Sequence, residues 1–190
     1  GIKPICHLIF FSVCHLIMLF SPSKLFLALY YILCYNASQE IRMNIFFLDK
    51  DPSRAAIQQC DKHVVKMVLE TTQMLSTAAR RNGFDGGYKS AYPNHPMTRW
   101  VGDNNHNFSW ALDHAQALSK EYTARYSKFH ACQKIINEFL SLKGDYTKFT
   151  EPPQCMPDEY KCSDFVEAYN KYYKAKLAGW KHPPKWYGNE

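Results

Sequence analysis

Residues 61–81 restrict the fold more than any other part of the sequence, because their apolar side chains recur at intervals of three and four residues. This spacing is typical of a helix with one buried face. Arg80 and Arg81 suit the last turn, where cations favour the helix dipole, and Asn82-Gly83 is a typical helix end. The pattern predicts a helix from Asp61 to about Arg81. Its predicted buried face consists of Val64, Val65, Val68, Leu69, Leu75 and Ala79.

Weaker patterns of the same kind predict further helices between residues 43 and 190. Asp51-Pro52 suits a helix start, with an N-cap followed by proline at the first helical position. Asn104 or Asn105 is expected to cap a long helix that reaches about Phe129. The other predicted helices cover residues 97–101, 133–142 and a last segment that starts after a Ser163 cap. The expected fold class is mainly α, a compact single-domain helical bundle with a short extended segment or strand at residues 44–48.

The first 42 residues differ in character from the rest of the sequence. They are mostly apolar, whereas Met43 begins the segment MNIFFLDKDP, which is typical of a soluble protein. We therefore expect residues 43–190 to form the domain and residues 1–42 to be a leader outside it. Two origins are open for this leader: upstream sequence translated from too early a start, or a genuine signal or membrane segment. In the second case, residues 5–35 would anchor the domain to a membrane.

The charge and the cysteines indicate an intracellular protein with an anionic partner. The formal net charge is +6, of which residues 43–190 contribute +4, and this excess suits a polyanion such as nucleic acid. The cysteines number seven, and an odd number without paired spacing argues against a secreted disulfide framework. The absence of a CxxC pair argues against a zinc knuckle. No metal site and no cofactor are expected. Walker, GxGxxG, GxSxG and HExxH motifs are absent, which disfavours the enzyme families that rely on them.

The densest group of ionisable residues lies on the predicted helix at residues 61–81. His63 and Glu70 are two helical turns apart and therefore share a face, and Lys66 lies between them. One interpretation is a solvated helix face with an ion pair between Lys66 and Glu70. The other is an acid/base carboxylate whose cationic neighbours hold a phosphate backbone.

Two other segments combine cations with aromatic side chains, a combination that can grip phosphates and stack on bases. One is the segment PNHPMTRW and the other is the carboxyl-terminal tail. In both segments, the alternative is that the tryptophans fill the core. The expected nucleic-acid contacts are Lys62, Lys66, Arg80, Arg81, His95, Arg99, Trp100, Lys185, Trp186 and Tyr187.

Two resemblances follow from these motifs. The segments MNIFFLDKDP, CDKHVVKMVLE and NHP…RW are similar to a family of short uncharacterised bacteriophage proteins, which implies a bacterial cytoplasm but no particular activity. The spacing of Asp61, His63 and Glu70, together with a Trp-Tyr tail after a proline, resembles the small helical pyrimidine dimer DNA glycosylases. The second resemblance implies a DNA repair glycosylase with abasic-site lyase activity. Its partner would be damaged double-stranded DNA, and it would need no cofactor.

The resemblance to the glycosylases also implies roles for individual residues. The α-amine of Met43, or of Asn44 if Met43 is removed, would attack C1′ of the damaged nucleotide and form a Schiff base. Glu70 would transfer protons during strand cleavage, and His63 would lie near the DNA. Two departures stand against this: Leu69 occupies a position where the family has arginine, and Asn44 is a poor residue for methionine removal. The mechanism also fails if residues 1–42 are retained.

The same residues are also consistent with a different class of function. A non-catalytic nucleic-acid-binding accessory protein of a phage would use the same cations and aromatic side chains. Its binding would depend strongly on salt, but it would not depend on Glu70.

Overall fold

The computed structural model describes residues 43–182 and Pro184, and most of these residues are helical. The predicted mainly helical class is confirmed, and the described residues contain no β-strand. The leader at residues 1–42 and the tail residues Lys185, Trp186 and Tyr187 lie outside them, so the domain boundary at Met43 stays a prediction. The described helices are α1 (Pro52–Ile57), α2 (Asp61–Arg81), α3 (Pro96–Asp103), α4 (Asn105–Tyr126), α5 (Gln133–Glu138) and α6 (Phe165–Ala178), with 3₁₀ turns at Phe139–Leu142 and Asp158–Tyr160.

Several helix ends follow the local signals in the sequence. The Asp51 carboxylate caps α1 by accepting a hydrogen bond of 2.8 Å from the backbone N–H of Arg54. Helix α2 spans the predicted residues and is followed by Gly83 at a φ of 87°, a conformation that glycine adopts without steric cost. Asn104 caps α4, as predicted, through the backbone N–H of Asn107.

Three other helix ends differ from the prediction. Helix α4 stops before residue 129, because Ser127 adopts a left-handed φ of 54°. Helix α5 is α-helical only as far as Glu138, after which the chain tightens into a 3₁₀ turn. Asp164 caps α6, and the predicted Ser163 cap is wrong. The Asp164 carboxylate accepts hydrogen bonds from two backbone N–H groups of the first turn.

Residues 43–48 form an extended segment that runs through the core. The sequence predicted either a strand or an extended arm here. The structure shows an extended arm, and all six residues are buried. The Phe47 ring stacks on Trp110 at a centroid distance of 4.2 Å and meets Trp100 edge-on at 5.2 Å. Such aromatic packing fixes the amino-terminal segment against α3 and α4.

Helix α2 buries one face against α3 and α4. Val64 and Val68 lie on that face, as do two further predicted residues, Leu75 and Ala79. Val65 and Leu69 are 40% and 39% exposed, so their predicted burial is wrong. Consecutive helix positions are rotated by about 100°, so positions 64 and 65 do not both face the same neighbouring helices.

The membrane alternative rests on residues 5–35, which are outside the described part of the chain. Among residues 43–182, no helix is long and apolar enough to cross a lipid bilayer.

The buried imidazole of His114 links α4 to the residues around α1. Its Nδ1 lies 2.9 Å from the carbonyl oxygen of Pro52, and its Nε2 lies 3.1 Å from the amide nitrogen of Gln59. Full burial lowers the pKa of His114 from 6.5 to about 4. The unfolded chain therefore takes up a proton below about pH 6.5, whereas the folded chain does so only near pH 4. This difference removes stability as the pH falls.

We expect His114 to account for part of the acid sensitivity of the fold. The wild-type free energy of unfolding should fall between pH 7 and pH 4.5 by about 2 kcal/mol more than that of His114→Gln. Urea denaturation of both proteins at the two pH values measures this difference. An equal loss in the two proteins would show that His114 does not carry the effect.

Candidate active site

The carboxylate of Glu70 meets the amino-terminal segment inside the fold. Glu70 lies near the middle of α2, and its Oε2 accepts a hydrogen bond of 3.1 Å from the backbone N–H of Asn44. Both residues are buried. A nitrogen of the residue after Met43 therefore lies within hydrogen-bond distance of the carboxylate that the sequence singled out.

Glu70 combines a buried position with an exposed cationic partner. Its Oε1 lies 3.0 Å from Nζ of Lys66, and the side chains are 8% and 61% exposed, respectively. Burial raises the pKa of Glu70, while Lys66, the Asn44 N–H and Lys176 act in the opposite direction. A carboxyl group whose pKa is raised towards neutrality is suited to giving and taking protons.

The Asn44 side chain is held in place from two sides. Its Nδ2 donates a hydrogen bond of 2.8 Å to the carbonyl oxygen of Cys155, in the loop before α6. Its Oδ1 lies 3.2 Å from the Tyr169 hydroxyl, which is also 2.7 Å from the carbonyl oxygen of Pro153. Because these contacts orient Asn44, its backbone nitrogen has a defined position against Glu70. The sequence carries no local signal for Tyr169 or Cys155, since both are remote from Asn44 along the chain.

The side chain of His63, in the first turn of α2, is buried. Its Nδ1 lies 2.8 Å from the Tyr173 hydroxyl, and its ring packs between Phe46 and Trp180 at centroid distances of 4.9 and 5.0 Å. Burial, and then the cations Lys176 and Lys66, lower the pKa of His63 to about 3. The imidazole is therefore neutral at physiological pH, which suits packing and hydrogen bonding better than phosphate binding.

Met43, the predicted origin of the attacking amine, has a buried side chain next to Asn44. The backbone nitrogen that contacts Glu70 is that of Asn44. The catalytic assignments of Met43, His63 and Glu70 remain predictions. Of the two candidate amine positions, Met43 and Asn44, it is Asn44 whose nitrogen forms a hydrogen bond with Glu70.

Lys62 and Lys66 stand on the exposed face of α2, beside Val65 and Leu69. Lys62 Nζ donates a hydrogen bond of 3.1 Å to the carbonyl oxygen of His182 and lies 5.0 Å from the centroid of the Trp180 ring. The start of the carboxyl-terminal tail thus lies against the first turn of α2. This face presents two cations: Lys66, which pairs with Glu70, and Lys62, one helical turn before Lys66.

Lys176, in the last turn of α6, is a further member of this group that sequence reasoning missed. It is half-buried, and its Nζ lies 5.6 Å from the centroid of the Tyr172 ring. Burial and the nearby Lys66 cation lower the pKa of Lys176, and Glu70 acts in the opposite direction. No local pattern marks this lysine, because α6 and α2 are far apart in the sequence.

Arg80 and Arg81 lie at the far end of α2, about 15 Å along the helix axis from Glu70. Arg80 holds the following loop: its Nε donates to the carbonyl oxygen of Tyr88 at 2.8 Å, and its Nη1 pairs with Asp85 at 3.0 Å. Arg81 is exposed. A cleft of about 310 Å³, lined by residues that include Asn82, lies at the same end, away from Glu70.

The segment PNHPMTRW is divided between the core and the surface. His95 is buried, and its Nδ1 accepts a hydrogen bond from the backbone N–H of Met97 at the start of α3. Trp100 is buried, and its Nε1 donates to the carbonyl oxygen of Thr150 at 3.0 Å. Arg99 is exposed. Buried rings offer little surface to a base, so His95 and Trp100 are not among the proposed DNA contacts.

Comparison with known proteins gives a family for this region. The model of the pyrimidine dimer DNA glycosylase family matches residues 43–134, which include Asn44, His63 and Glu70. The resemblance predicted from the spacing of Asp61, His63 and Glu70 is therefore confirmed, while the bacteriophage origin stays a prediction. Helix α6, which supplies Tyr169, Tyr173 and Lys176, lies outside the matched residues. No curated protein and no solved structure matches the chain.

Proposed function

From the match of residues 43–134 to the pyrimidine dimer DNA glycosylases, we propose that this protein excises pyrimidine dimers from DNA and cleaves the strand at the resulting abasic site. The observation that carries the proposal is the 3.1 Å contact between the Asn44 nitrogen and Glu70 Oε2. It pairs a potential amino terminus with a buried acid/base group.

The proposed chemistry needs that nitrogen as a free amine. In a peptide bond the nitrogen lone pair is delocalised into the carbonyl group, so the nitrogen is a donor and not a nucleophile. An α-amine has a pKa of about 8 and is a competent nucleophile near neutral pH. We propose that the active form begins at Asn44, or one residue earlier at Met43.

The reaction then proceeds through a covalent intermediate. The amine attacks C1′, the bond from C1′ to the damaged base breaks, and the departing base takes up a proton. The sugar ring opens at O4′, leaving a Schiff base between the amine and C1′. The Glu70 carboxylate removes a C2′ proton, and the phosphate at C3′ leaves, which cuts the strand.

The exposed face of α2 supports the binding of a DNA strand beside this site. Lys66, which pairs with Glu70, and Lys62, one helical turn before it, would contact phosphates. Arg81, at the far end of the helix, and Arg99, on α3, would add contacts further along the duplex. The target nucleotide has to leave the base stack to bring C1′ to the amine. Such binding should weaken steeply as the salt concentration rises.

Borohydride trapping tests the proposal, because it reduces a Schiff base to a stable amine. A chain that begins at Asn44 should form a covalent adduct with UV-irradiated duplex DNA, and mapping should place the adduct on the Asn44 α-amine. The unirradiated duplex and an amino-terminally acetylated chain are the controls.

The same experiment distinguishes the non-catalytic alternative. Salt-sensitive binding to duplex DNA with no adduct, from chains beginning at Asn44 and at Met43, would overturn the glycosylase and favour the accessory protein.

A further inference from the structure

A second amine, Nζ of Lys176, is near enough to Glu70 for its charge to act on the Glu70 carboxyl group. This amine is present whether the chain begins at Gly1, Met43 or Asn44. Lys176 Nζ stands over the Tyr172 ring, and Tyr172 in turn packs against Phe46 at a centroid distance of 6.3 Å. Phe46 is two residues from Asn44 in the extended segment. Helix α6 thus places a half-buried lysine close enough to Lys66 and Glu70 for both charges to act on its pKa.

The Glu70 charge acts on both Lys66 and Lys176, but Glu70 forms an ion pair only with Lys66. Glu70 pairs with Lys66 at 3.0 Å, and within residues 43–182 no carboxylate forms an ion pair with Lys176. The Lys176 amine is therefore partly desolvated, close to another cation and without a paired anion among these residues, and its pKa is lowered accordingly. Desolvation beside a second cation is an established way to keep a lysine amine neutral and nucleophilic.

We propose that Lys176 Nζ forms a Schiff base with the C1′ aldehyde of an abasic site, which gives the chain a lyase activity that needs no free amino terminus. The inference rests on the proposed function only for its substrate class, DNA that contains an abasic site. Base excision remains the task of the α-amine, whereas Lys176 acts on sites where the base is already lost.

The step balances without a further reactant. The neutral amine adds to the aldehyde carbon of the ring-opened sugar, and one amine proton passes to the former aldehyde oxygen. Glu70 enters this step in its protonated form and gives that hydroxyl a second proton, so that water leaves and the protonated imine remains. The resulting imine makes the C2′ hydrogen acidic, Glu70 removes it, and the phosphate at C3′ departs. Lys66 stays protonated throughout and pairs with the Glu70 carboxylate once Glu70 has given up its proton.

The full 190-residue chain is the right protein for the test, because its Asn44 nitrogen lies in a peptide bond. It is incubated with borohydride and a duplex that carries one abasic site, and the adduct is located by peptide mapping. Lys176→Arg keeps the cation but does not form the imine, and Lys174→Ala removes an exposed lysine of the same helix. Circular dichroism verifies that both variants fold.

We expect an adduct on Lys176 that Lys176→Arg lowers by at least about 100-fold and Lys174→Ala leaves unchanged, a loss within the range for single catalytic groups. No adduct, an adduct on Lys66 or Gly1, or trapping that survives Lys176→Arg overturns the inference. These outcomes are independent of trapping by the chain that begins at Asn44 on UV-irradiated DNA. Either proposal can therefore fail while the other stands.

Discussion

Strand cleavage by the chain that begins at Asn44 is expected to fall by about 10²–10⁴-fold in Glu70→Gln, the range for loss of a positioned proton-transfer group. Glutamine has nearly the same shape, and its amide oxygen keeps an acceptor for the Asn44 nitrogen. It takes up no proton from C2′. Binding to the UV-irradiated duplex should change little, because the proposed phosphate contacts are the exposed cations and not Glu70.

Cleavage of labelled duplex and fluorescence anisotropy measure the two effects separately. Glu167→Gln is the matched control, since Glu167 also pairs with a lysine one helical turn away but is exposed on α6. We expect the control to cleave at the wild-type rate. If Glu70→Gln cleaves as fast as the wild type, Glu70 is not the proton-transfer group and the proposed mechanism is wrong.

The second large effect is expected at Phe47, whose replacement by alanine should destabilise the fold by about 3–5 kcal/mol, the range for truncating a buried aromatic side chain. Phe47 is fully buried and contacts Trp110, Trp100, Phe165 and Tyr169, with ring centroids 4.2–5.8 Å apart. The cavity would lie where the amino-terminal segment, α4 and α6 meet. Urea denaturation at neutral pH measures the loss.

Phe129→Ala is the control, because the Phe129 side chain is 83% exposed and follows the end of α4. Its free energy of unfolding should stay within about 0.5 kcal/mol of the wild type. A loss below about 1 kcal/mol for Phe47→Ala would contradict the role of Phe47 in the core, since the cavity left by truncating a buried phenylalanine costs more than that. Because Phe47 anchors the segment that carries Asn44, we also expect the variant to trap less UV-irradiated DNA.

The parts of the site that lie on one helix were predictable. His63, Lys66 and Glu70 share α2, and the distance between residues of one helix follows from its pitch. The contact between Asn44 and Glu70 was expected only through the family resemblance, because it joins an extended segment to a helix. Tyr169, Tyr173 and Lys176 had no signal at all, since their relation to Glu70 depends on how α6 packs.

The sequence by itself determined where most helices lie, which ends are capped by Asp51 and Asn104, and that His63 and Glu70 share a helix. These are local properties, set by side-chain periodicity and by hydrogen bonds between near neighbours. Tertiary structure decided that Leu69 faces solvent, that Trp100 fills the core and that Lys176 stands near Glu70. These facts depend on which helix faces meet, and only the packing of the whole core selects among the arrangements that local patterns allow.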